Sequence, residues 1–111
     1  MGFLTSFSRS MYLTSYINSL ERQLLNVTGM QADLSREISR MTTAISDLDD
    51  AESASVKNLK ARLNELEALD KQLQARMQKI RVMLQAANTE KQSADGMLQQ
   101  SIQQSFSYSV R

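Results

Sequence analysis

A heptad repeat of apolar residues runs through most of the chain, and it constrains the fold more than any other sequence feature. From Leu13 to Leu48, positions taken in alternating steps of four and three are apolar in ten of eleven cases. A second run begins at Val56 and is strong as far as Leu84. This period is typical of α-helices that pack along a shared seam. The sequence therefore predicts an all-α chain with two long coiled-coil helices, whose seam positions are 13, 17, 20, 24, 27, 31, 34, 38, 41, 45 and 48, then 56, 59, 63, 66, 70, 73, 77, 80, 84, 87, 91, 94, 98 and 101.

The segment between the two runs, residues 47–55, predicts a helix break and an antiparallel hairpin. It holds three Asp and two Ser, which are poor in helix interiors and good as N-caps. Asp49 with Glu52 three residues later resembles a capping box. The alternative is one long interrupted helix in a parallel coiled coil, since no Gly or Pro marks the turn. The hairpin predicts a single helical domain over 1–111, with helices at about 3–47 and 54–104, a turn at about 48–53 and a tail at 105–111.

Two polar residues interrupt the strong part of the seam, Gln31 in the first run and Asp70 in the second. In an antiparallel hairpin, residues whose numbers sum to about 104 share a layer, which places these two in adjacent layers. Such a pair lowers stability but fixes the register of the helices. We therefore predict that Gln31 and Asp70 set the register.

The composition argues against an enzyme. The chain has no Cys and no His, which excludes thiol nucleophiles, imidazole acid–base chemistry and the usual zinc ligands. We expect no catalytic residue, no metal site and no cofactor. The formal net charge of +1 gives no argument for a nucleic-acid partner, so none is expected.

Membrane and export signals are weak. No run of 18 apolar residues is present, so a membrane protein is not expected. The N-terminus lacks the basic region, the apolar run and the cleavage motif of a signal peptide. The sequence leaves two locations open, outside the cell by a route that needs no signal peptide, or the cytoplasm.

The aromatic residues collect at the two ends of the chain, which a hairpin brings together. These ends are nearly free of charge: Arg9 is the only side chain charged at neutral pH in residues 1–20, and residues 92–111 contain only Asp95 and Arg111. Apolar, charge-poor segments pack against copies of themselves without burying charge. The predicted assembly interface is Phe3, Leu4, Phe7, Tyr12, Tyr16, Leu98, Ile102, Phe106 and Tyr108.

This plan resembles the needle and axial filament subunits that bacteria export through type III secretion and flagellar systems. The matching features are the Ser- and Gln-rich, charge-poor segments 1–20 and 92–108, and the absence of Cys and Trp. The turn departs from the needle pattern, because Asp47 to Ser55 stands where a Pro-containing turn is expected. The resemblance implies a helical hairpin whose ends pack in a filament wall.

Two functions remain open from the sequence. The first is a structural protein, a helical hairpin that assembles with itself into a filament or appendage. The second is a coiled-coil adaptor or chaperone-like module that binds a different protein chain. Both follow from the apolar residues outside the seam, which two helices alone leave uncovered.

Overall fold

Two long α-helices make up the protein. The computed structural model describes the backbone of residues 2–48 and 53–110, with side chains as far as Ser107. Helix α1 spans Phe3–Ser46, 44 residues, and helix α2 spans Ala54–Val110, 57 residues. The described residues contain no strand. The predicted all-α class and the helical hairpin are confirmed.

The two helix ends at the turn use ordinary capping interactions. After α1, the backbone N–H of Asp47 donates to Thr43 O at 3.0 Å, and that of Leu48 donates to Ile45 O at 3.2 Å. The second bond spans three residues and tightens the last turn. At the start of α2, the Ser53 hydroxyl accepts a hydrogen bond from the N–H of Val56 at 3.2 Å. Ser53 is therefore the N-cap, and the capping box predicted at Asp49 and Glu52 lies outside the described residues.

Helix α2 continues beyond its predicted end at residue 104 as far as Val110. In the sequence, the alternation of Phe106, Tyr108 and Val110 with Ser favours an extended tail. The structure differs because no Pro interrupts the chain and because Ser101, one turn before the predicted end, is buried in the seam. Burial of a seam residue outweighs the modest helix propensity of Ser.

The helices form two compact units. The terminal unit comprises Met1–Gln23 and Ile80–Arg111, and the turn unit comprises Leu24–Lys79. Each unit contains one segment of α1 and one of α2, so neither is a continuous stretch of sequence. In the turn unit Thr28 contacts Met77 and Gln31 contacts Asp70. The partner number falls as the α1 number rises, so these segments run antiparallel.

The heptad seam predicted from the sequence forms the core. Every predicted seam position is buried or half-buried except Leu48, which follows α1 and is exposed. The deepest side chains include Leu20 and Val56, each 1% exposed. The d positions are the more deeply buried: Leu13, Leu20, Val27, Leu34, Leu66, Leu73, Ile80, Ala87, Ala94 and Ser101 are buried.

Candidate assembly surface

Small residues occupy several core positions in the seam of the terminal unit. Its described d positions, as far as Ser101, are all buried, and beyond Leu13, Leu20 and Ile80 they are Ser6, Ala87, Ala94 and Ser101. Helix separation depends on the side chains at the contact, so small residues bring helices close together. The a positions are more open: Ile17 is buried, but Ser10, Leu84, Lys91 and Leu98 are only half-buried.

A polar contact joins the two helices next to the a positions of this seam. The Ser10 hydroxyl donates to Asp95 Oδ1 at 2.5 Å, and Lys91 Nζ donates to Asp95 Oδ2 at 2.8 Å. The hydrogen bond from Lys91, followed by the one from Ser10, lowers the pKa of the Asp95 carboxyl below its ordinary value. Asp95 is therefore ionised at neutral pH, and its charge is matched by that of Lys91 within the same unit.

A second polar contact defines the two sides of the terminal unit. Arg9 and Glu90 form an ion pair with an N–O distance of 3.5 Å, and both occupy heptad position g. Positions g and e flank a coiled-coil seam on opposite sides. The g positions of both helices therefore line one side, called the g side, and the e positions line the other, called the e side.

Most of the predicted interface residues are exposed. Leu4 is 75% exposed and Phe106 is 69% exposed, and Phe3, Phe7, Tyr12 and Ile102 are also above 40%. Tyr16 and Leu98 are half-buried. Tyr108 lies in α2, and its side chain is outside the described residues. Whether these residues form an interface stays a prediction.

The aromatic residues of α1 form two separate pairs. The rings of Phe3 and Phe7 stack with centroids 5.9 Å apart, and those of Tyr12 and Tyr16 stack at 6.2 Å. Phe7 is at position e and Tyr16 is at position g, so the pairs face the e side and the g side. The predicted interface residues therefore do not lie on a single face.

Sequence reasoning missed three polar residues in the contact between the helices of this unit, Ser6, Ser10 and Asp95. Ser6 and Ser10 lie seven residues before Leu13 and Ile17, so extending the repeat by one heptad finds both. No sequence pattern points to Asp95, because its contact is with the hydroxyl of Ser10, 85 positions away in the chain.

Replacing Ser6 with alanine should raise the free energy of unfolding by about 1 kcal/mol. Ser6 is 1% exposed, and its hydroxyl has no hydrogen-bond partner among the described residues. Removing a buried, unsatisfied hydroxyl relieves its desolvation cost. Urea denaturation followed by circular dichroism measures the effect. Ser8→Ala, at an exposed position of the same helix, is the control for helix propensity, and an equal gain in both variants would contradict the prediction.

In the turn unit, the two polar seam residues lie side by side. Gln31 Nε2 is 3.5 Å from Asp70 Oδ1, at the long end of hydrogen-bond range. Gln74 Nε2, one turn further along α2, donates to Asp70 Oδ2 at 2.9 Å. The structure thus brings Gln31 and Asp70 together as the hairpin register predicts, and their effect on that register stays a prediction.

The comparisons with known proteins give no match. No protein family, curated protein or solved structure is significantly similar to this chain. Within the described residues, neither helix has an 18-residue stretch apolar enough to cross a bilayer. The same residues contain no cluster of three or more acidic side chains with the geometry of a metal site.

Proposed function

We propose that this protein is a non-enzymatic structural subunit, a helical hairpin that assembles with itself through its terminal unit into a filament or appendage-like assembly. The observation that supports this most directly is the exposure of Leu4, Met11 and Phe106, at 75%, 59% and 69%. Large apolar side chains grouped on a surface mark interaction sites. Self-assembly covers them without requiring a further component.

The charges of the terminal unit also favour this function. Arg9 pairs with Glu90, and Lys91 pairs with Asp95. Because these charges are matched within one chain, a second chain can approach without leaving an isolated charge in the contact. The N- and C-terminal segments are otherwise rich in Ser and Gln, which provide hydrogen bonds for a polar rim.

Size-exclusion chromatography with light scattering, combined with electron microscopy, tests the proposal. Purified protein should give species larger than a monomer, with filaments at high concentration. Deleting residues 1–12 or 104–111 should abolish assembly while leaving most of the helicity measured by circular dichroism. A wild-type protein that stays monomeric at every concentration would overturn the proposal.

The second candidate function is an adaptor that binds a different chain, and the turn unit favours it. Met30 and Leu69 are 51% and 42% exposed, and both occupy g positions, so they line the same side of the helix pair. An adaptor would remain small when purified alone and form a discrete complex with its partner. Electron microscopy separates the two functions, because only the first produces filaments from the chain alone.

A further inference from the structure

We infer that the e side of the terminal unit is a homotypic docking face, on which the same face of a second copy packs. The inference rests on the proposed self-assembly and identifies the surface that carries it. The face consists of the half-buried Leu98 and five exposed apolar residues at positions e and b: Leu4, Phe7, Met11, Ile102 and Phe106.

The distribution of side chains in this segment is the first reason. Near the chain ends the described d positions of the seam hold small residues, Ser6, Ala94 and Ser101. The large apolar residues of the same turns, such as Phe7 and Ile102, stand outside it at position e. Burial of apolar residues drives helix packing. Large apolar residues that lie outside the seam between α1 and α2 therefore predict a second helix contact, on the e side.

The unequal cover of the two sides is the second reason. Positions d lie toward the g side, and those of this unit as far as Ser101 are all buried. Positions a lie toward the e side, where Ile17 is buried but Ser10, Leu84 and Leu98 are only half-buried. The groove between the helices is thus accessible from the e side. A helix of a second copy that packs there contacts both helices at once.

The charge of the face favours a second copy as its occupant. The ionisable residues at the e-side positions of this unit are Glu21, Arg81 and Asp95, with Lys91 beside them at position a. These are two acids and two bases, so the face has no net charge, and Lys91 already pairs with Asp95 at 2.8 Å. A strongly charged partner gains nothing here, whereas a copy of the same neutral face meets no repulsion.

The size of the face fits a symmetric contact. The five exposed side chains present on the order of 500 Å² of apolar surface. A standard interface buries about 800 Å² on each partner, and the Gln and Ser residues around the face supply the remainder. In a two-fold contact the same patch serves both copies, so this one face is sufficient.

Matched double variants test the face. Met11→Gln with Phe106→Gln removes apolar surface from the e side. Tyr12→Gln with Met97→Gln removes it from the g side, and the exposures of Phe106 and Tyr12 are nearly equal, 69% and 68%. Sedimentation velocity over a concentration series should show association of the e-side variant weakened about 100-fold, because two side chains are lost from each copy. The g-side variant should associate within about threefold of wild type.

Cysteine reactivity gives a second test that disturbs no apolar residue. The chain has no Cys, so a single introduced thiol reports on its own site. Gln99 lies at position b, beside the e side, and Gln100 lies at position c, beside the g side, and both are exposed. The two single variants are Gln99→Cys and Gln100→Cys. Alkylation at Gln99→Cys should slow at least tenfold when the protein is concentrated enough to associate, while alkylation at Gln100→Cys should change less than twofold.

The outcomes distinguish the face from the function. Two results would overturn the e-side face and leave self-assembly standing. One is association of the protein with no change in alkylation at Gln99→Cys. The other is loss of association in the g-side variant and not in the e-side variant. A wild-type chain that never associates would overturn both. Protection of Gln99→Cys together with the loss of association in the e-side variant supports the face.

Discussion

Replacing Leu20 with alanine is expected to lower the free energy of unfolding by about 3 kcal/mol. Leu20 occupies a d position of the terminal unit and is 1% exposed. The substitution removes buried methyl groups and leaves a cavity in the seam. Chemical denaturation followed by circular dichroism at several protein concentrations measures the change and separates it from any effect of association.

Leu25→Ala is the matched control for Leu20→Ala. Leu25 lies five residues further along the same helix and is 72% exposed. The chemical change is identical, and helix propensity improves slightly in both variants. We expect Leu25→Ala to change the free energy of unfolding by less than about 0.5 kcal/mol. Equal destabilisation by the two variants would show that the heptad seam is not the core.

The sequence predicts most of this fold because one physical rule dominates it. A heptad repeat places its apolar residues on one stripe of a helix, and the stripe must be buried. Seam residues as different as Leu34 and Ala94 are therefore buried where the repeat places them. The N-cap of α2, Ser53, lies in the Asp- and Ser-rich segment that predicted the helix break, and its role has the same kind of local reason.

The arrangement of the candidate surface depends on information that the repeat does not contain. The sequence shows that aromatic residues collect at the chain ends, but the direction of each side chain depends on helix phase and partner. Phe7 and Tyr16 belong to one predicted cluster, yet they occupy positions e and g on opposite sides. The Ser10–Asp95 contact depends on the spacing and rotation of two helices, which no local pattern encodes.

Apolar residues outside the seam are the link between fold and proposed function. A two-helix chain buries one stripe of each helix and has a small core for its surface area. Residues such as Leu4 and Phe106 then remain exposed. In the proposed assembly a second copy would cover them, and that association would stabilise the hairpin as well as the assembly.

The double variant Gln31→Leu with Asp70→Leu is expected to raise the free energy of unfolding by about 2 kcal/mol. Both residues are half-buried at a positions, and the contact between them is long, at 3.5 Å. Replacing a weak polar contact by two leucines adds apolar burial and removes the cost of desolvating an amide and a carboxylate. Asp70→Leu alone should gain less, because it leaves the Gln31 amide without this partner.

The stabilised double variant should also be less uniquely folded. An all-apolar seam accepts several registers and oligomeric states, whereas a buried polar pair penalises those that separate its members. Sedimentation velocity should show more than one species, and the amide NMR spectrum should contain more peaks than the wild-type spectrum. Asn26→Leu with Gln72→Leu adds two leucines at exposed positions of the same unit. This variant controls for nonspecific association and should keep one register. If the double variant at 31 and 70 unfolds, or keeps one register and one mass, then this pair does not set the register.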